Sequence, residues 1–286
     1  MSLSIEGLWA VAKRQARLAL WLFSARQAVA PVPLSRNLAK HSTQTAVALS
    51  TDETLSQPAI SIVIPALNEA RQLPVVLDTI HADSSVEVIV VDGGSADGTA
   101  EVAEAKGARV VDATPGRSRQ LNAGAAAATG EILLFLHADT RLPEGFDHSI
   151  RQTLTQQGVV AGAFRLAIDG PGRGLRWVEW GVNLRSRWLQ MPYGDQAIFL
   201  SAEVFHDLGG FPDLPMMEDF ELMRRLRKVG KVAIAPSAVV TSDRRWRTLG
   251  ILRTTLANQA MIAGYLLGVD PHQLARWYRR LGKPKL

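Results

Sequence analysis

The chain has 286 residues, of which 47% are apolar and 21% are charged. This composition is typical of a globular protein and excludes a disordered chain. The absence of cysteine excludes disulfides, a thiolate nucleophile and cysteine-ligated metal sites, and it fits a cytoplasmic protein. A formal net charge of +5 favours anionic partners such as nucleotide phosphates or an acidic membrane surface. No nucleic-acid-binding module is recognisable, so we expect no nucleic-acid partner.

Residues 1–57 differ in character from the rest of the chain. Apolar side chains recur at helical spacing along Leu8–Phe23, and Lys13, Arg14 and Arg17 fall on the opposite side, which predicts a basic amphipathic helix. The Pro-, Ser- and Thr-rich residues that follow, up to 57, are typical of a linker. The helix could pack on the main domain or, together with the basic C-terminal tail, contact the inner face of the cell membrane peripherally. No segment reaches the roughly 20 apolar residues of a transmembrane helix.

From residue 59 onward, strands and helices alternate. Buried strands are predicted at Ile60–Pro65, Val86–Asp92, Ala108–Asp112 and Glu131–Leu136, and helices at Glu69–His81, Thr99–Lys106 and Arg119–Ala128. This alternation favours a parallel α/β sheet, in which ligands bind beyond the carboxyl ends of the strands. Pro65, Glu69, Asp92 and Asp139 are all expected at that edge.

The second half of the chain is less regular. Strands are predicted at Val159–Ile168 and Ala197–Ser201, and helices at Glu218–Val229 and Thr248–Leu267. Trp177, Trp180, Trp188 and Tyr193 lie between these segments, and aromatic residues at this density are expected to pack in the core. Stacking of one of these rings on a sugar or acceptor is the alternative.

Four motifs follow one another in the order found in the family 2 glycosyltransferases. They are Ser61-Ile-Val-Ile-Pro-Ala-Leu-Asn-Glu69; Val91-Asp-Gly-Gly-Ser-Ala-Asp-Gly-Thr99; Gly116-Arg-Ser-Arg-Gln-Leu-Asn-Ala-Gly124 with Phe135-Leu-His-Ala-Asp-Thr140; and Gly209-Gly-Phe-Pro212 with Glu218-Asp219. The chain from about 59 to 229 therefore resembles that family. The resemblance implies the GT-A fold: a Rossmann-like, mostly parallel sheet flanked by helices, spanning 58–286 after a basic N-terminal helical extension. Residues 58–140 would form the nucleotide-binding half, and residues 141–286 the acceptor half with the C-terminal helices.

The resemblance also implies a nucleotide site at the first two strand ends. Pro65, Leu67 and Glu69 would cup the nucleotide, and Asp92 would contact the base or ribose. Family members often show two successive acids at this point, whereas this chain has Asp92-Gly93. Arg119 and Asn122 are further candidates for binding the nucleotide sugar: a guanidinium suits phosphate oxygens, and Asn122 resembles the asparagine of the family's Leu-Asn-x-Gly element. Arg117 could serve similarly or be a solvated surface residue.

A divalent metal, Mn²⁺ or Mg²⁺, is expected on the diphosphate of a UDP- or GDP-linked donor. His137-Ala138-Asp139 occupies the place of the family's D-x-D signature. Asp139 matches its last acid and is the expected metal ligand. His137 replaces the first acid and could bind the metal or hydrogen-bond a phosphate or sugar. Arg244 and Arg245 could reach the diphosphate from a C-terminal loop.

Glu218-Asp219 resembles the family's acidic pair, in which the aspartate is the general base. One carboxylate must take the acceptor's proton as the acceptor oxygen attacks the anomeric carbon. The resemblance thus implies an inverting transfer to an acceptor hydroxyl or phosphate, with Asp219 as base and Glu218 orienting it or the donor. Gly194-Asp195-Gln196 lies where the family carries residues facing donor and acceptor.

Two other functions compete with this interpretation. A non-catalytic nucleotide- or carbohydrate-binding relative is favoured by His137 in place of an acid. A sugar nucleotidyltransferase is less favoured, because residues 65–69 do not form its glycine-rich loop. Within family 2, the motifs look like a bacterial subgroup linked to arsenosugar biosynthesis, with lipid-linked or carotenoid-type acceptors as the alternative.

Overall fold

A computed structural model of the chain describes residues 59–80 and 85–281. The predicted amphipathic helix and linker of residues 1–57 lie outside the described residues, so their packing and the proposed domain boundary stay predictions. Within the described residues, no helix is both long enough and apolar enough to cross a membrane.

One eight-stranded sheet forms the centre of the protein, in the order β3-β2-β1-β4-β7-β6-β8-β5. Four of its seven strand pairs are parallel, namely β1–β2, β1–β4, β2–β3 and β6–β8. The strands are β1 (Ile60–Ala66), β2 (Val86–Asp92), β3 (Arg109–Asp112), β4 (Ile132–Phe135), β5 (Thr140–Arg141), β6 (Val159–Asp169), β7 (Ile198–Ser201) and β8 (Lys231–Ser242).

The helices cover both faces of this sheet. The helices of the first half are α1 (Leu73–Leu77), α2 (Thr99–Ala105), α3 (Arg117–Ala127) and α4 (Phe146–Leu154). Those of the second half are α5 (Arg173–Leu189), α6 (Ala202–Asp207), α7 (Glu218–Val229), α8 (Arg244–Leu249), α9 (Ile251–Leu266) and α10 (Pro271–Leu281). A single-turn 3-10 helix, Gly194–Gln196, precedes β7.

Alternate side chains of β1 enter two separate cores, which is why its sequence is apolar almost throughout. Ile60, Ile62 and Ile64 pack on one face, with Phe146 of α4 among their neighbours. Val63 packs on the other face, in the cluster that includes side chains from α3 and α7. The predicted parallel α/β arrangement is confirmed in the first half. In the second half the sheet is mixed, because β7 runs antiparallel to both β4 and β6.

Two predicted helices differ from those observed. The helix predicted at Glu69–His81 is limited to α1, because the preceding amides of residues 68–70 are bound by side chains of the loop after β2. The helix predicted at Thr248–Leu267 is two helices, α8 and α9, separated by Gly250 at φ +83°. A positive φ of this size is accessible to glycine and interrupts helical geometry.

The expected core packing of the tryptophans is wrong. Trp177, Trp180 and Trp188 lie on α5 with 57%, 49% and 77% of their surface exposed. Only Tyr193 packs against a buried cluster. The sequence alone does not distinguish the exposed tryptophans from the packed Tyr193, because aromatic content does not show which face of a helix is buried.

Candidate active site

An open cleft of about 260 Å³ lies at the carboxyl ends of β1 and β4. A smaller cavity of about 10 Å³, room for about one water molecule, adjoins it, and Arg117 and His137 line both. The cleft is otherwise lined by Pro65, Ala66, Leu67, Glu69, Gln120, Ala138 and Asp139. Six side chains singled out from the sequence therefore meet in one place: Pro65, Leu67, Glu69, Arg117, His137 and Asp139.

The β1 side of the cleft is held by a network of side-chain to backbone hydrogen bonds. The backbone N–H of Asn68 donates to Ser95 Oγ at 2.8 Å, and that of Glu69 to Thr99 Oγ1 at 2.9 Å. Asn68 Oδ1 in turn accepts from the N–H of Ala96 at 2.9 Å. Asn68 has φ +56°, a conformation that asparagine tolerates better than most residues. These bonds fix Leu67 and Glu69 at the end of β1.

Asp92 is the last residue of β2, and its side chain stabilises the turn that follows the strand. Its Oδ2 accepts from the N–H groups of Gly94 at 3.0 Å and Ser95 at 2.8 Å, and its Oδ1 accepts from Ser95 Oγ. Asp92 is 5% exposed and does not line the cleft. Its predicted contact with a base or ribose stays a prediction, and the visible role of the carboxylate is to hold the turn.

Gln120 is a buried residue of the site that the sequence analysis missed. Its Nε2 donates to the carbonyls of Ala66 at 2.8 Å and Val91 at 2.9 Å, and thereby ties the ends of β1 and β2 together. A Cβ on Gly93 would approach this amide at 3.0 Å. The sequence did contain a signal for it: Gln120 stands next to the apolar Leu121 in the third motif, and both are buried on α3.

Arg117, at the start of α3, connects the two cavities. Its guanidinium donates to Glu218 Oε1, while Nη2 lies 3.7 Å from Asp219 Oδ2 and Nη1 lies 3.5 Å from His137 Nε2. Burial opposes the charged form of Arg117, yet Glu218 and Asp219 raise its pKa above the ordinary value. Burial raises the pKa of Glu218, which is 1% exposed; Arg117 opposes this shift and Asp219 adds to it.

Asp219 is held by backbone donors on both carboxylate oxygens. Oδ2 accepts from the N–H of Gly194 at 2.8 Å, and Oδ1 accepts from the N–H of Phe220 at 2.7 Å. A Cβ at position 194 would lie 3.0 Å from His137 Nε2 and 3.2 Å from Asp219 Oδ2. Glycine at 194 is therefore what allows His137 and Asp219 to face the same small cavity.

The imidazole of His137 is electrically neutral near pH 7. Burial and, to a smaller extent, the nearby Arg117 lower its pKa to about 3, against an opposing effect of Asp219. A neutral ring can present Nε2 as an acceptor toward Arg117, which places the proton on Nδ1. This contact favours a hydrogen-bonding role for His137, and metal ligation by it stays a prediction.

Asp139 and Glu69 share one arginine in the larger cleft. Arg244, at the start of α8, lies 2.9 Å from Glu69 Oε1 and 3.5 Å from Asp139 Oδ2. Burial raises the pKa of Asp139, and Arg244 opposes the shift. Arg245 lies over the ring of Tyr278, 4.2 Å from its centroid, and so takes a different direction from Arg244.

Arg119 and Asn122 do not line either cavity. Arg119 forms an exposed ion pair with Asp213, with Nε 3.0 Å from Oδ1. Asn122 donates from Nδ2 to the carbonyl of Phe211 at 2.8 Å and accepts from the N–H of Phe211 at 2.9 Å. Both side chains are engaged in linking α3 to the loop before α7, and their predicted contacts with the donor stay predictions.

Asp195 lies next to these groups, in the segment that the sequence analysis noted. Its Oδ1 is buried without a hydrogen-bond partner. Burial raises its pKa, with Arg185 opposing the shift and Asp219 adding to it. Buried carboxyl groups with raised pKa values concentrate at functional sites, and Asp195 with Glu218 forms such a pair around Asp219.

The donor set fits a hard divalent cation only in part. Asp139 and Glu69 offer carboxylate oxygens, the ligands that Mg²⁺ and Mn²⁺ prefer. Among the described residues, however, no group of three or more acidic or histidine side chains could enclose a metal ion. The arrangement therefore suits a cation that takes most of its ligands from a diphosphate and water.

A cleft beyond the carboxyl ends of parallel strands is the usual ligand site of an open α/β sheet. The family model "Glycosyl transferase family 2" matches residues 61–211, more than half of the chain. This protein belongs to the family 2 glycosyltransferases. The family resemblance expected from the four motifs is confirmed.

Individual relatives match shorter segments of the chain than the family model does. An uncharacterized glycosyltransferase of Mycobacterium tuberculosis is 41% identical over 88 residues, covering 30% of this chain and 39% of that protein. The 4,4'-diaponeurosporenoate glycosyltransferase of Staphylococcus haemolyticus is 39% identical over 93 residues, covering 29% of this chain and 25% of that protein. The matched segment thus spans well under half the length of each relative.

Solved structures share the fold over more of the chain. Glucosyl-3-phosphoglycerate synthase from M. tuberculosis, in complex with Mn²⁺ and UDP-glucose, aligns with TM-score 0.51 and 26% identity, over 70% of this chain and 77% of that one. A mannosyltransferase from Pyrobaculum calidifontis, in complex with GDP-mannose and Mn²⁺, aligns with TM-score 0.56 over 96% of this chain and 80% of that one. Its 20% identity is evidence for the fold alone.

Proposed function

We propose that this enzyme transfers a sugar from a nucleotide-diphosphate donor to an acceptor hydroxyl or phosphate, with inversion at the anomeric carbon. The observation that carries the proposal is the contact of Arg117 with both Glu218 and Asp219 at the junction of the two cavities. This contact brings a carboxylate pair from α7 beside the cleft that carries Asp139. A donor in the cleft and an acceptor whose hydroxyl approaches Asp219 would meet there.

Asp219 is the general base in this proposal. Its carboxylate is 14% exposed and lines the smaller cavity, so a substrate hydroxyl can reach it. The N–H groups of Gly194 and Phe220 fix its orientation and leave lone pairs for the acceptor's proton. As the acceptor oxygen attacks the anomeric carbon, its proton passes to Asp219 and the bond to the diphosphate breaks.

Glu218 is a positioning residue in the same step. It is buried and cannot meet the acceptor directly, but it holds the guanidinium of Arg117. Arg117 in turn faces the cleft, where a planar cation suits a phosphate oxygen. His137, neutral and beside Arg117, would donate or accept a hydrogen bond from a phosphate or sugar hydroxyl.

Asp139, with Glu69 nearby, would hold a divalent cation together with the donor's diphosphate. Such a cation supplies charge neutralisation as the nucleoside diphosphate departs. The solved M. tuberculosis relative binds Mn²⁺ and UDP-glucose, which supports this assignment. Arg244 occupies the same carboxylates and would exchange this contact for a phosphate when the donor binds.

The donor is proposed to be UDP- or GDP-linked, and the UDP-glucose named for the solved M. tuberculosis relative supports the first of these. The acceptor class stays open between a small phosphorylated molecule, an arsenosugar precursor and a lipid-borne group. We further propose that the enzyme works in the cytoplasm and contacts the inner face of the membrane peripherally.

A non-catalytic binding protein is the second candidate, favoured by His137 in place of the first metal-binding acid. It predicts that a nucleotide sugar binds and is never turned over. Measuring hydrolysis of the donor to nucleoside diphosphate separates the two candidates without knowledge of the acceptor.

The test is calorimetric titration of UDP and GDP with and without Mn²⁺, on the wild type and on Asp139→Asn. One nucleotide should bind only with Mn²⁺, and Asp139→Asn should weaken that binding at least about tenfold, the lower end of the effect of lost metal-site partners. Asp207→Asn is the matched control, because Asp207 is exposed at the end of α6, outside the cleft. Absence of binding by both nucleotides would disprove the proposed donor site.

A further inference from the structure

The exposed residues of α5 form a single stripe of arginine and large apolar side chains. They are Arg173, Arg176, Trp177, Trp180, Gly181, Leu184, Arg187 and Trp188. At 100° per residue these eight positions fall within an arc of about 140°. We call this surface the tryptophan face.

The tryptophan face lacks acidic residues. Glu179, the only acid on α5, is turned toward β6, where Oε1 accepts from the N–H of Ile168 and lies 3.1 Å from Arg176. Trp177 and Trp180 stand against each other at 5.9 Å with an interplanar angle of 80°. Trp188 leaves 77% of its surface exposed, the highest value among the exposed large apolar side chains of the described residues.

The neighbouring helix α9 repeats this composition. Its first turn packs against α5, where a Cβ on Gly174 would lie 2.8 Å from Ile251 Cδ1. The next exposed residues are Leu252, Arg253 and Leu256. Between Arg244 and Val269 the chain contains no acid at all.

We propose that the tryptophan face is a docking surface for a bilayer containing anionic phospholipid. Indole rings prefer the boundary between headgroups and acyl chains, and arginines extend from an apolar face to lipid phosphates. The inference rests on the proposed peripheral location and names the surface responsible for it.

Charge disfavours two other occupants. In a symmetric dimer this face would meet its own copy and bring arginines against arginines, without an acid on the face to compensate. Residues 1–57 are themselves basic, because Lys13, Arg14 and Arg17 are followed by no acidic residue until Asp52. An anionic lipid surface complements the charge in a way that neither of these does.

The position of the face gives docking a consequence for catalysis. α5 leads into the segment that carries Gly194 and Asp195, and Ser186 Oγ donates to Gln196 Oε1 at 2.6 Å. Arg185, also on α5, lies over the ring of Tyr193 at 3.6 Å. Docking through α5 would therefore place the smaller cavity near the membrane, within reach of an acceptor anchored there.

The test is co-sedimentation of the full chain with phosphatidylcholine vesicles, with and without phosphatidylglycerol. The wild type should bind the anionic vesicles only. The triple substitution Trp177→Ala, Trp180→Ala and Trp188→Ala should lower the partition constant at least about tenfold, and Arg173→Gln with Arg187→Gln about fivefold or more. Val75→Ala, which trims a 49% exposed apolar side chain of α1 outside the tryptophan face, is the control and should bind as the wild type does.

Thermal unfolding by circular dichroism checks that each variant is folded, and nucleotide titration reports separately on the proposed function. If the wild type ignores anionic vesicles, or if the triple variant binds them undiminished, the tryptophan face is not the docking surface. Equal loss in Val75→Ala contradicts the proposal as well. A wild-type dimer in sedimentation velocity that the triple variant abolishes would assign the face to a second copy instead.

Discussion

The two sides of the active-site cleft are stabilised in different ways. On the β1–β2 side, backbone amides of residues 68–70 and 94–96 meet short polar side chains, and the acid there, Asp92, satisfies its own turn. On the α3–α7 side, Arg117, His137, Asp195 and Glu218 are charged or titratable groups with shifted pKa values. The first side is a rigid frame, whereas the second concentrates electrostatic energy where proton transfer is proposed.

The largest effect is expected on the α3–α7 side, from Asp219→Asn. An amide cannot take the acceptor's proton, so kcat should fall about 10²- to 10⁴-fold. Nucleotide binding with Mn²⁺ should persist, because the contacts of the β1–β2 side are untouched. Glu221→Gln on the same helix, whose carboxylate pairs with Arg224, is the control and should retain activity. Near-normal turnover by Asp219→Asn would assign the base elsewhere, with Asp195 the next residue to test.

Replacing Arg117 by alanine should lower the stability of the fold, in addition to removing a proposed phosphate contact. It leaves Glu218 buried without its cation, and removal of one partner from a buried pair costs about 3 kcal/mol, the low end of the range because Arg117 is 43% exposed. Urea unfolding measures this change. Glu218→Gln added to the same variant should restore most of the lost stability, because the remaining side chain is then uncharged. No recovery in the double variant would mean that the loss comes from packing of Arg117.

The acid sensitivity of the fold should come in part from His137. Its folded pKa of about 3 lies below the ordinary 6.5, so the unfolded chain binds more protons between those values and stability falls as the pH falls through that window. Between pH 7 and pH 5 the contribution is up to about 2 kcal/mol. His137→Gln should flatten this dependence in urea unfolding, whereas His148→Gln, an exposed histidine of α4, should not.

The sequence was most informative on the β1–β2 side. The strand predicted at Val86–Asp92 has the same bounds in the structure, because a continuous apolar run ending in Asp-Gly-Gly leaves few alternatives. The helix Glu218–Val229 also matches, since its acids and bases lie at the expected ends. Both segments depend on local patterns that a single sequence contains.

Long-range pairings were beyond the reach of the sequence. The ion pair of Arg117 with Glu218 joins residues 101 positions apart, and Asn122 is bound to Phe211 across 89 positions. Arg119 and Asn122 looked like ligand-binding residues because their side chains suit phosphates, and nothing local indicated that other protein groups would engage them. The exposure of Trp188 likewise depends on which face of α5 the sheet covers.

The smallest effect is expected where the two sides meet, from Arg244→Ala. Arg244 lies between Glu69 of the β1 side and Asp139, and the pair is partly exposed, so its removal should change stability by less than about 1 kcal/mol. Because the guanidinium competes for the carboxylates assigned to the metal, Mn²⁺ should bind this variant about two- to fivefold more tightly without nucleotide. Arg247→Ala, at an exposed position of the same helix, should leave Mn²⁺ binding unchanged. If Arg244 contacts the diphosphate, the variant should bind Mn²⁺ more weakly than the wild type when the sugar donor is present, since the variant then lacks a hydrogen-bond donor to the phosphate. Weaker Mn²⁺ binding in both conditions would show that Arg244 helps to form the metal site, and the two sides would then act as one unit.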